Sequence, residues 1–141
     1  MKATAETTGG AFSMSEAMFP PGMKGPPPHA HRSTTDTFYV LEGTLHMTVG
    51  ECEIDAPAGS YILVPPGVMH TFANTSDAPV RFLNINAPGG WENYLRELAD
   101  AMRAGTMPGT AEFARIVAKC HAMLQKLSRT SQIPAAWVVK L

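Results

Sequence analysis

The sequence lacks the features that commit a chain to a disulfide framework, a membrane or secretion. Only two of its 141 residues are cysteine, Cys52 and Cys120, and no Cys-x-x-Cys spacing occurs, which argues against a disulfide scaffold or a structural zinc knuckle. The apolar runs are far shorter than the roughly 20 residues of a bilayer span, and the N-terminal stretch MKATAETTGGAF has no apolar signal segment. We therefore expect a cytoplasmic protein whose cysteines are both small buried hydrophobic residues.

The chain also lacks a block of charge of either sign. Its 11 lysines and arginines against 12 aspartates and glutamates give a net charge of −1, whereas a nucleic-acid binder needs a basic face that neutralises phosphates. We therefore expect neither nucleic acid nor a membrane surface as a partner. What the chain does have is 45% hydrophobic residues, which is enough for the core of one globular domain.

Short apolar segments separated by turn residues fill the first two thirds of the sequence. In residues 12–19 apolar and polar side chains alternate with the period of a half-buried strand. The five prolines and two glycines of residues 20–28 then form a stiff, extended connection, because proline cannot continue a helix or a central strand. Further strands are predicted at residues 37–41, 44–49, 52–55, 61–64, 69–74 and 80–87. Strands at this spacing favour an all-β sandwich or barrel.

Helical periodicity begins abruptly after residues 88–90, which read Pro-Gly-Gly. From Trp91 onward apolar residues recur at i, i+4, i+7, i+8 and i+11, the spacing of one helical face, and a second helix is predicted from about Thr110. We therefore divide the chain into a flexible N-terminus at 1–10, a β-domain at 11–88 and a helical extension at 89–141. The apolar stripes of the helices must pack on the β-domain, on each other or on a second subunit.

Three histidines and one carboxylate are placed where a single metal ion could collect them. His29 and His31 are two residues apart and would point to the same side of a strand, so both can bind one ion. Asp36 follows after a short loop, and His70 follows the rigid Pro-Pro-Gly corner at residues 65–67. Three imidazoles and one carboxylate leave one or two positions free on a five- or six-coordinate ion, as a catalytic metal site requires.

The spacing of these residues resembles the two sequence motifs of the cupins, a family of small β-barrels. The first motif is Gly-x5-His-x-His-x3-4-Glu-x6-Gly; here the corresponding residues are His29, His31, Asp36 and Gly43. The second motif is Gly-x5-Pro-x-Gly-x2-His-x3-Asn, and it is matched at every position by Gly59, Pro65, Gly67, His70 and Asn74. The first motif departs twice, because its opening glycine is displaced by one residue, to Gly22, and because Asp36 stands where the family has glutamate.

The resemblance implies both a fold and a cofactor. The implied fold is all-β, a single cupin jelly-roll β-barrel with a C-terminal pair of α-helices, similar to the single-domain cupins that resemble bacterial quercetin dioxygenases. The implied cofactor is one divalent transition metal ion, Fe, Mn, Ni, Cu or Zn, with His29, His31, Asp36 and His70 as its ligands. Because aspartate is one methylene shorter than glutamate, Asp36 either binds the ion directly, acts through a water or stays outside the ligand set. By analogy with the family's glutamate, it is also the candidate catalytic base.

Strand parity predicts an apolar pocket next to the metal, because alternate residues of a strand share a face. Residues two and four positions beyond Asp36, and two beyond His70, should therefore point inward with those ligands. The predicted pocket lining is Phe38, Val40, Met47 and Phe72. Such a lining suits an aromatic or enolic ligand better than a sugar phosphate, which would call for arginine or lysine. His46 faces away from Met47, so we do not count it as a ligand.

Three functions are compatible with these residues. The leading hypothesis is a metal-dependent oxygenase that acts on a small aromatic or enolic substrate, as the resemblance to quercetinase-like cupins implies. The alternatives are a non-redox, metal-dependent polyketide cyclase or isomerase, and a cupin that binds a small ligand without catalysis. The expected partners are a small-molecule substrate and, by analogy with the family, a second copy of the chain in a homodimer.

Overall fold

The computed structural model describes residues 1–106, 110–112 and 115–116, together with the backbone of residues 137–140. Within these residues the chain forms seven consecutive strands, one bounded helix and a final short strand. The elements are β1 (Ser13–Phe19), β2 (Thr35–Glu42), β3 (Thr44–Val49), β4 (Cys52–Pro57), β5 (Ser60–Val64), β6 (His70–Ala73), β7 (Val80–Ala87), α1 (Trp91–Arg103) and β8 (Trp137–Lys140). The prediction of a mostly β chain is confirmed.

The strands form two sheets that enclose the hydrophobic core. One sheet has the order β1-β7-β2-β5-β8, and the other has the order β4-β3-β6. Every pairing between these strands is antiparallel. Buried side chains from both sheets meet in one cluster, including Phe38 and Phe82 from the larger sheet and Leu45 and Met47 from the smaller. This double-sheet arrangement is that of a jelly roll.

The two sheets are not closed into a barrel within the described residues, so the prediction of a closed barrel is wrong. The free edge of β6 is bordered by the proline-rich connection instead of by a strand, through isolated bridges between Lys24 and Ala73 and between His29 and His70. Prolines have no N–H with which to extend the pairing. The approach is close, because a Cβ at Gly25 would clash with the Phe72 carbonyl oxygen. The connection is therefore held against β6 next to the site.

Helix α1 is the one helix with defined bounds among the described residues, so a pair of helices is not shown. The second predicted helix, from about Thr110, lies largely outside the described residues, and so does Cys120. Cys52 is exposed, which corrects the expectation that it is buried, because it begins β4 beside the turn at Gly50. No helix in the described residues combines the length and the hydrophobicity needed to cross a bilayer.

The N-terminal residues contact both β1 and the start of α1. Ala3 forms an isolated antiparallel bridge with Met14, and the backbone N–H of Gly89 donates a 3.0 Å hydrogen bond to the Gly10 carbonyl oxygen. The Glu92 carboxylate, which is 2% exposed, accepts hydrogen bonds from the backbone N–H groups of Ala5 at 2.5 Å and Gly90 at 2.8 Å. These bonds attach α1 to the sheet through the N-terminus. The flexibility of residues 1–10, and the division at residues 88 and 89, stay predictions.

Candidate metal centre

Backbone hydrogen bonds fix the three candidate histidines relative to one another. The N–H of His29 donates to the His70 carbonyl oxygen at 3.0 Å, and the N–H of His70 donates to the His29 carbonyl oxygen at 2.8 Å. The carbonyl oxygen of His31 accepts from the N–H of Gly67, in the Pro-Pro-Gly corner, at 2.7 Å. Two segments that are about 40 residues apart in the sequence are thus joined directly at the site.

The structure brings all four predicted ligands together in the protein interior. One ligand atom from each of His29, His31, Asp36 and His70 lies within 4.8 Å of the others, and all four residues are buried. The imidazole centroids of His29 and His70 are 4.3 Å apart, and that of His31 is 5.1 Å and 5.4 Å from them. His46 lies outside this cluster, where its Nδ1 is 2.8 Å from Oδ1 of Asp55.

The two oxygens of Asp36 have different surroundings. Oδ1 accepts hydrogen bonds from the side-chain amides of Asn84 at 2.5 Å and Asn86 at 2.7 Å. Oδ2 lies 3.2 Å from Nε2 of His70 and 3.5 Å from Nε2 of His31. The amides therefore hold one oxygen while the other faces the imidazoles. This arrangement places Asp36 among the histidines, despite its shorter side chain.

The histidines present their Nε2 atoms to the centre of the cluster. Nδ1 of His29 is 3.0 Å from the Pro27 carbonyl oxygen, and Nδ1 of His70 is 2.9 Å from the Val68 carbonyl oxygen. Because a carbonyl oxygen can only accept, Nδ1 of each ring donates a proton to it, and Nε2 is the ring nitrogen left to face the cluster. Hydrogen bonds of this kind commonly orient histidine ligands of metals.

A buried polar atom without a partner indicates what the cluster is built to hold. Nε2 of His31 is buried and has no hydrogen-bond partner among the described residues, although such atoms are nearly always satisfied in folded proteins. A metal ion bound by this nitrogen and by its neighbours would satisfy it. The donor set of three imidazoles and one carboxylate suits a first-row transition ion. The residues present therefore fit a divalent metal ion.

Burial and mutual contact favour the protonation states that bind metal. Burial, followed by the nearby His70 imidazole, lowers the pKa of His29 to about 4. Burial acts to raise the pKa of Asp36, but its contacts with His31 and His70 outweigh this effect, and the pKa lies below its ordinary value. At neutral pH His29 is therefore uncharged and Asp36 is ionised. Ligands in these forms bind a cation without first releasing a proton.

A cavity of about 290 Å³ opens beside the cluster, with His29 and Asp36 in its wall. Helix α1 covers one side of the cavity with the side chains of Trp91, Tyr94, Leu95 and Leu98. The rest of the lining comes from the sheets and the proline-rich connection and includes three phenylalanines, Phe19, Phe72 and Phe82. The Trp91 ring also meets the His31 imidazole edge to face, at a centroid distance of 4.8 Å. Helix α1 thus packs on a candidate metal ligand and on the cavity.

The predicted pocket residues divide between this cavity and the core. Phe72 lines the cavity, while Phe38, Val40 and Met47 are fully buried members of the core cluster. Their contact with a substrate stays a prediction.

Sequence reasoning missed the two asparagines that anchor Asp36 and the tryptophan on His31. Polar residues at i and i+2 within the apolar segment 80–87 were the available signal for Asn84 and Asn86, since alternate strand residues share a face.

Comparison with known proteins agrees with this geometry. The cupin domain family matches residues 15–86 of this chain, a segment that contains both motifs and all four members of the cluster. The chain belongs to the cupin family. This cupin is also 28% identical to quercetin 2,3-dioxygenase of Bacillus subtilis over 104 residues, which are 72% of this chain and 31% of that protein. It therefore spans about a third of the length of this curated relative.

Solved structures show the same fold. A cupin protein from Bacteroides fragilis is 25% identical, with a TM-score of 0.52 over 57% of this chain and 68% of that chain. A structure described as a sugar phosphate isomerase of the cupin superfamily, from Silicibacter pomeroyi, is 27% identical, with a TM-score of 0.53 over 59% of this chain and 55% of that one. Similar sheets thus occur in cupins that carry different descriptions, so the fold alone does not identify the reaction.

Proposed function

We propose that this cupin is a metal-dependent oxygenase that acts on a small aromatic or enolic substrate. The observation that carries the proposal is the cavity, in which a polar end formed by His29 and Asp36 meets walls of aromatic and aliphatic side chains. Such a site binds a flat, largely apolar molecule and directs its oxygen atoms toward the metal ligands. The similarity to a quercetin dioxygenase supports the same substrate class.

The ion would be held by the cluster of His29, His31, Asp36 and His70. Fe, Mn, Ni, Cu and Zn all accept this donor set, so the cluster does not select one of them. A bound ion would supply a Lewis acid, and for the redox-active metals an electron-transfer centre, with a position open to substrate or dioxygen.

Asp36 acts mainly as a ligand in this proposal. Both amide donors, from Asn84 and Asn86, are bound to its Oδ1, so only Oδ2 remains to meet an ion or a proton. One oxygen cannot do both at the same moment. To act as the predicted catalytic base, Asp36 would need Oδ2 free of the ion when it accepts the substrate's proton.

The cavity walls exclude water and disfavour anionic substrates. Trp91 and the leucines of α1 present apolar surface, which limits side reactions with solvent. Among the described residues that line the cavity none is lysine or arginine, whereas phosphate recognition depends on such cations. A sugar phosphate, the substrate class in the description of the isomerase neighbour, therefore fits this cavity poorly.

Oxygen uptake by metal-reconstituted protein tests the proposal. The chelator-treated protein is loaded separately with Fe, Mn, Ni, Cu or Zn and mixed with quercetin or with smaller enolic aromatics, and dioxygen consumption is followed together with substrate loss. We expect equimolar loss of both with at least one redox-active metal, and none with the His70→Ala variant. Turnover that persists without dioxygen, or with zinc as the only metal, would overturn the oxygenase and favour the cyclase or isomerase. Binding without turnover would leave a ligand-binding cupin.

The homodimer is part of the same proposal. Strand β1 is at the edge of its sheet, and Met18 on it is 64% exposed, which is a large apolar exposure for an edge strand. Light scattering should give twice the 15.1 kDa mass of one chain. A mass equal to one chain would refute the dimer.

A further inference from the structure

The Asn84 side chain stands between the metal cluster and the cavity, and its amide orientation is fixed. Its Nδ2 donates to Asp36 Oδ1 at 2.5 Å and to the Thr37 carbonyl oxygen at 3.3 Å, which uses both amide hydrogens. The flipped amide would bring three acceptor oxygens together with no hydrogen between them. The carbonyl oxygen of this amide, Oδ1, must therefore be on the side away from Asp36.

That carbonyl oxygen is an acceptor without a partner in the described part of the chain. Asn84 is half-buried and lines the cavity, and none of its hydrogen bonds uses Oδ1. An acceptor in the wall of a binding cavity is satisfied by water or by a donor of the ligand. Since the Asn84 amide binds the carboxylate that meets the metal, this acceptor lies next to the metal-binding end of the cavity.

We infer that Asn84 determines substrate specificity, by accepting a hydrogen bond from a protonated hydroxyl adjacent to the substrate oxygen that approaches the metal. The inference rests on the proposed function and narrows its substrate class to planar aromatic or enolic molecules with two neighbouring oxygens, one of which keeps its proton. A methyl ether at that second oxygen has no hydrogen to donate and would leave Oδ1 facing another acceptor.

Asn86 provides a matched control within the same strand. It donates to the same Asp36 oxygen, at 2.7 Å, but it is buried and does not line the cavity. Replacing either asparagine removes one donor from Asp36. Only a replacement of Asn84 also removes an acceptor from the cavity.

Calorimetric binding of catechol and of its monomethyl ether, guaiacol, tests the inference without turnover. Zinc-loaded protein is titrated under anaerobic conditions as wild type, Asn84→Leu and Asn86→Leu, with metal content confirmed for each. The measured quantity is the dissociation constant for guaiacol divided by that for catechol. We expect this ratio to fall about tenfold in Asn84→Leu and to remain at its wild-type value in Asn86→Leu. Asn84→Ala, which leaves a small gap at the cavity wall, serves as a second variant if Asn84→Leu does not fold.

The outcomes separate this inference from the oxygenase proposal. An unchanged ratio in the folded, zinc-loaded Asn84 variants, or no binding of catechol to the wild type, would overturn the inference whether or not dioxygen is consumed elsewhere. A ratio that falls only for Asn84 variants would support the inference even if no dioxygen is consumed, in which case the oxygenase alone is wrong.

Discussion

Strand β2 passes through two regions of the interior in which burial has opposite consequences. Asp36, Phe38 and Val40 alternate along its inward face, and all three are buried. Burial of the two apolar side chains stabilises the fold, whereas burial of the Asp36 carboxylate is costly unless hydrogen bonds or a cation compensate it. Five residues of one strand thus connect the apolar core to the buried polar cluster. Substitutions in the two regions should therefore alter different measured quantities.

The largest expected effect is the loss of the metal in His70→Ala. This change removes the ligand that lies nearest to both His29 and Asp36, and the remaining donors cannot hold the same ion. Elemental analysis of protein purified without added metal should find the wild type loaded and the variant empty. His46→Ala is the matched control, because His46 contacts Asp55 outside the cluster. This variant should retain the metal. Full metal content in His70→Ala would refute the site.

Phe38→Ala should affect the hydrophobic core and therefore the stability of the fold. Phe38 is 0% exposed, and its ring is 5.0 Å and 6.1 Å from those of Phe72 and Phe82, so truncation leaves a cavity in a packed core. We expect the free energy of unfolding of the metal-free protein to fall by about 3–5 kcal/mol, measured by urea denaturation. The folded variant should still bind one equivalent of metal. Weaker catechol binding with unchanged stability would instead place Phe38 in the substrate pocket.

Asn86→Leu tests the boundary between the two regions, because leucine has the branched shape and the heavy-atom count of asparagine but cannot donate to Asp36. We expect metal affinity to fall about 10-fold to 100-fold, the usual consequence of losing a group that orients a ligand, as measured by competition with a chelator of known affinity. The melting temperature of the metal-free variant should also fall, because the buried carboxylate keeps only the Asn84 amide as a donor. An unchanged metal affinity would show that one amide is enough to hold Asp36.

The sequence predicted the members of the buried His/His/Asp/His cluster better than their surroundings, and the reason is physical. His29, His31, Asp36 and His70 occur at short, fixed separations from glycines and prolines, which constrain the backbone locally. The hydrogen bonds of Asn84 and Asn86 to Asp36 span 48 and 50 residues, and the bond from Ala5 to Glu92 spans 87. Such pairings depend on the register of whole sheets, which one sequence does not reveal.

The fold shows the same contrast between local and distant determinants. Strands β2 and β3 lie in different sheets, so the hairpin expected of these neighbouring segments does not form. The turn between them was nevertheless predictable because Gly43, with a φ of 75° and a would-be Cβ 2.6 Å from the Pro79 carbonyl oxygen, marks a turn that only glycine fits. The open edge at β6 was not predictable. The proline-rich connection that borders it has the sequence of a loop, and it takes the place of a strand only through tertiary contacts. A closed barrel was therefore the wrong inference from correctly placed strands.

The smallest effect that we predict concerns the start of α1, where a buried carboxylate is stabilised by backbone donors and not by a metal. Burial acts to raise the pKa of Glu92, but the N–H groups of Ala5, Glu92 and Gly90 outweigh it and hold the pKa below its ordinary value. The contribution of the ionised Glu92 carboxylate to folding stability is therefore present above the unfolded-state pKa and is lost as the pH falls through the lower, folded-state pKa.

Glu92→Gln replaces one acceptor oxygen with a donor and should destabilise the metal-free protein by about 1–3 kcal/mol at pH 7. Urea denaturation from pH 7 to pH 3 should show this difference shrinking toward acid. Glu97→Gln, at a half-buried position of the same helix whose carboxylate meets Arg115 only at 3.7 Å, should change stability far less. A Glu92→Gln difference that is constant with pH would mean that folding does not lower the pKa of this carboxylate.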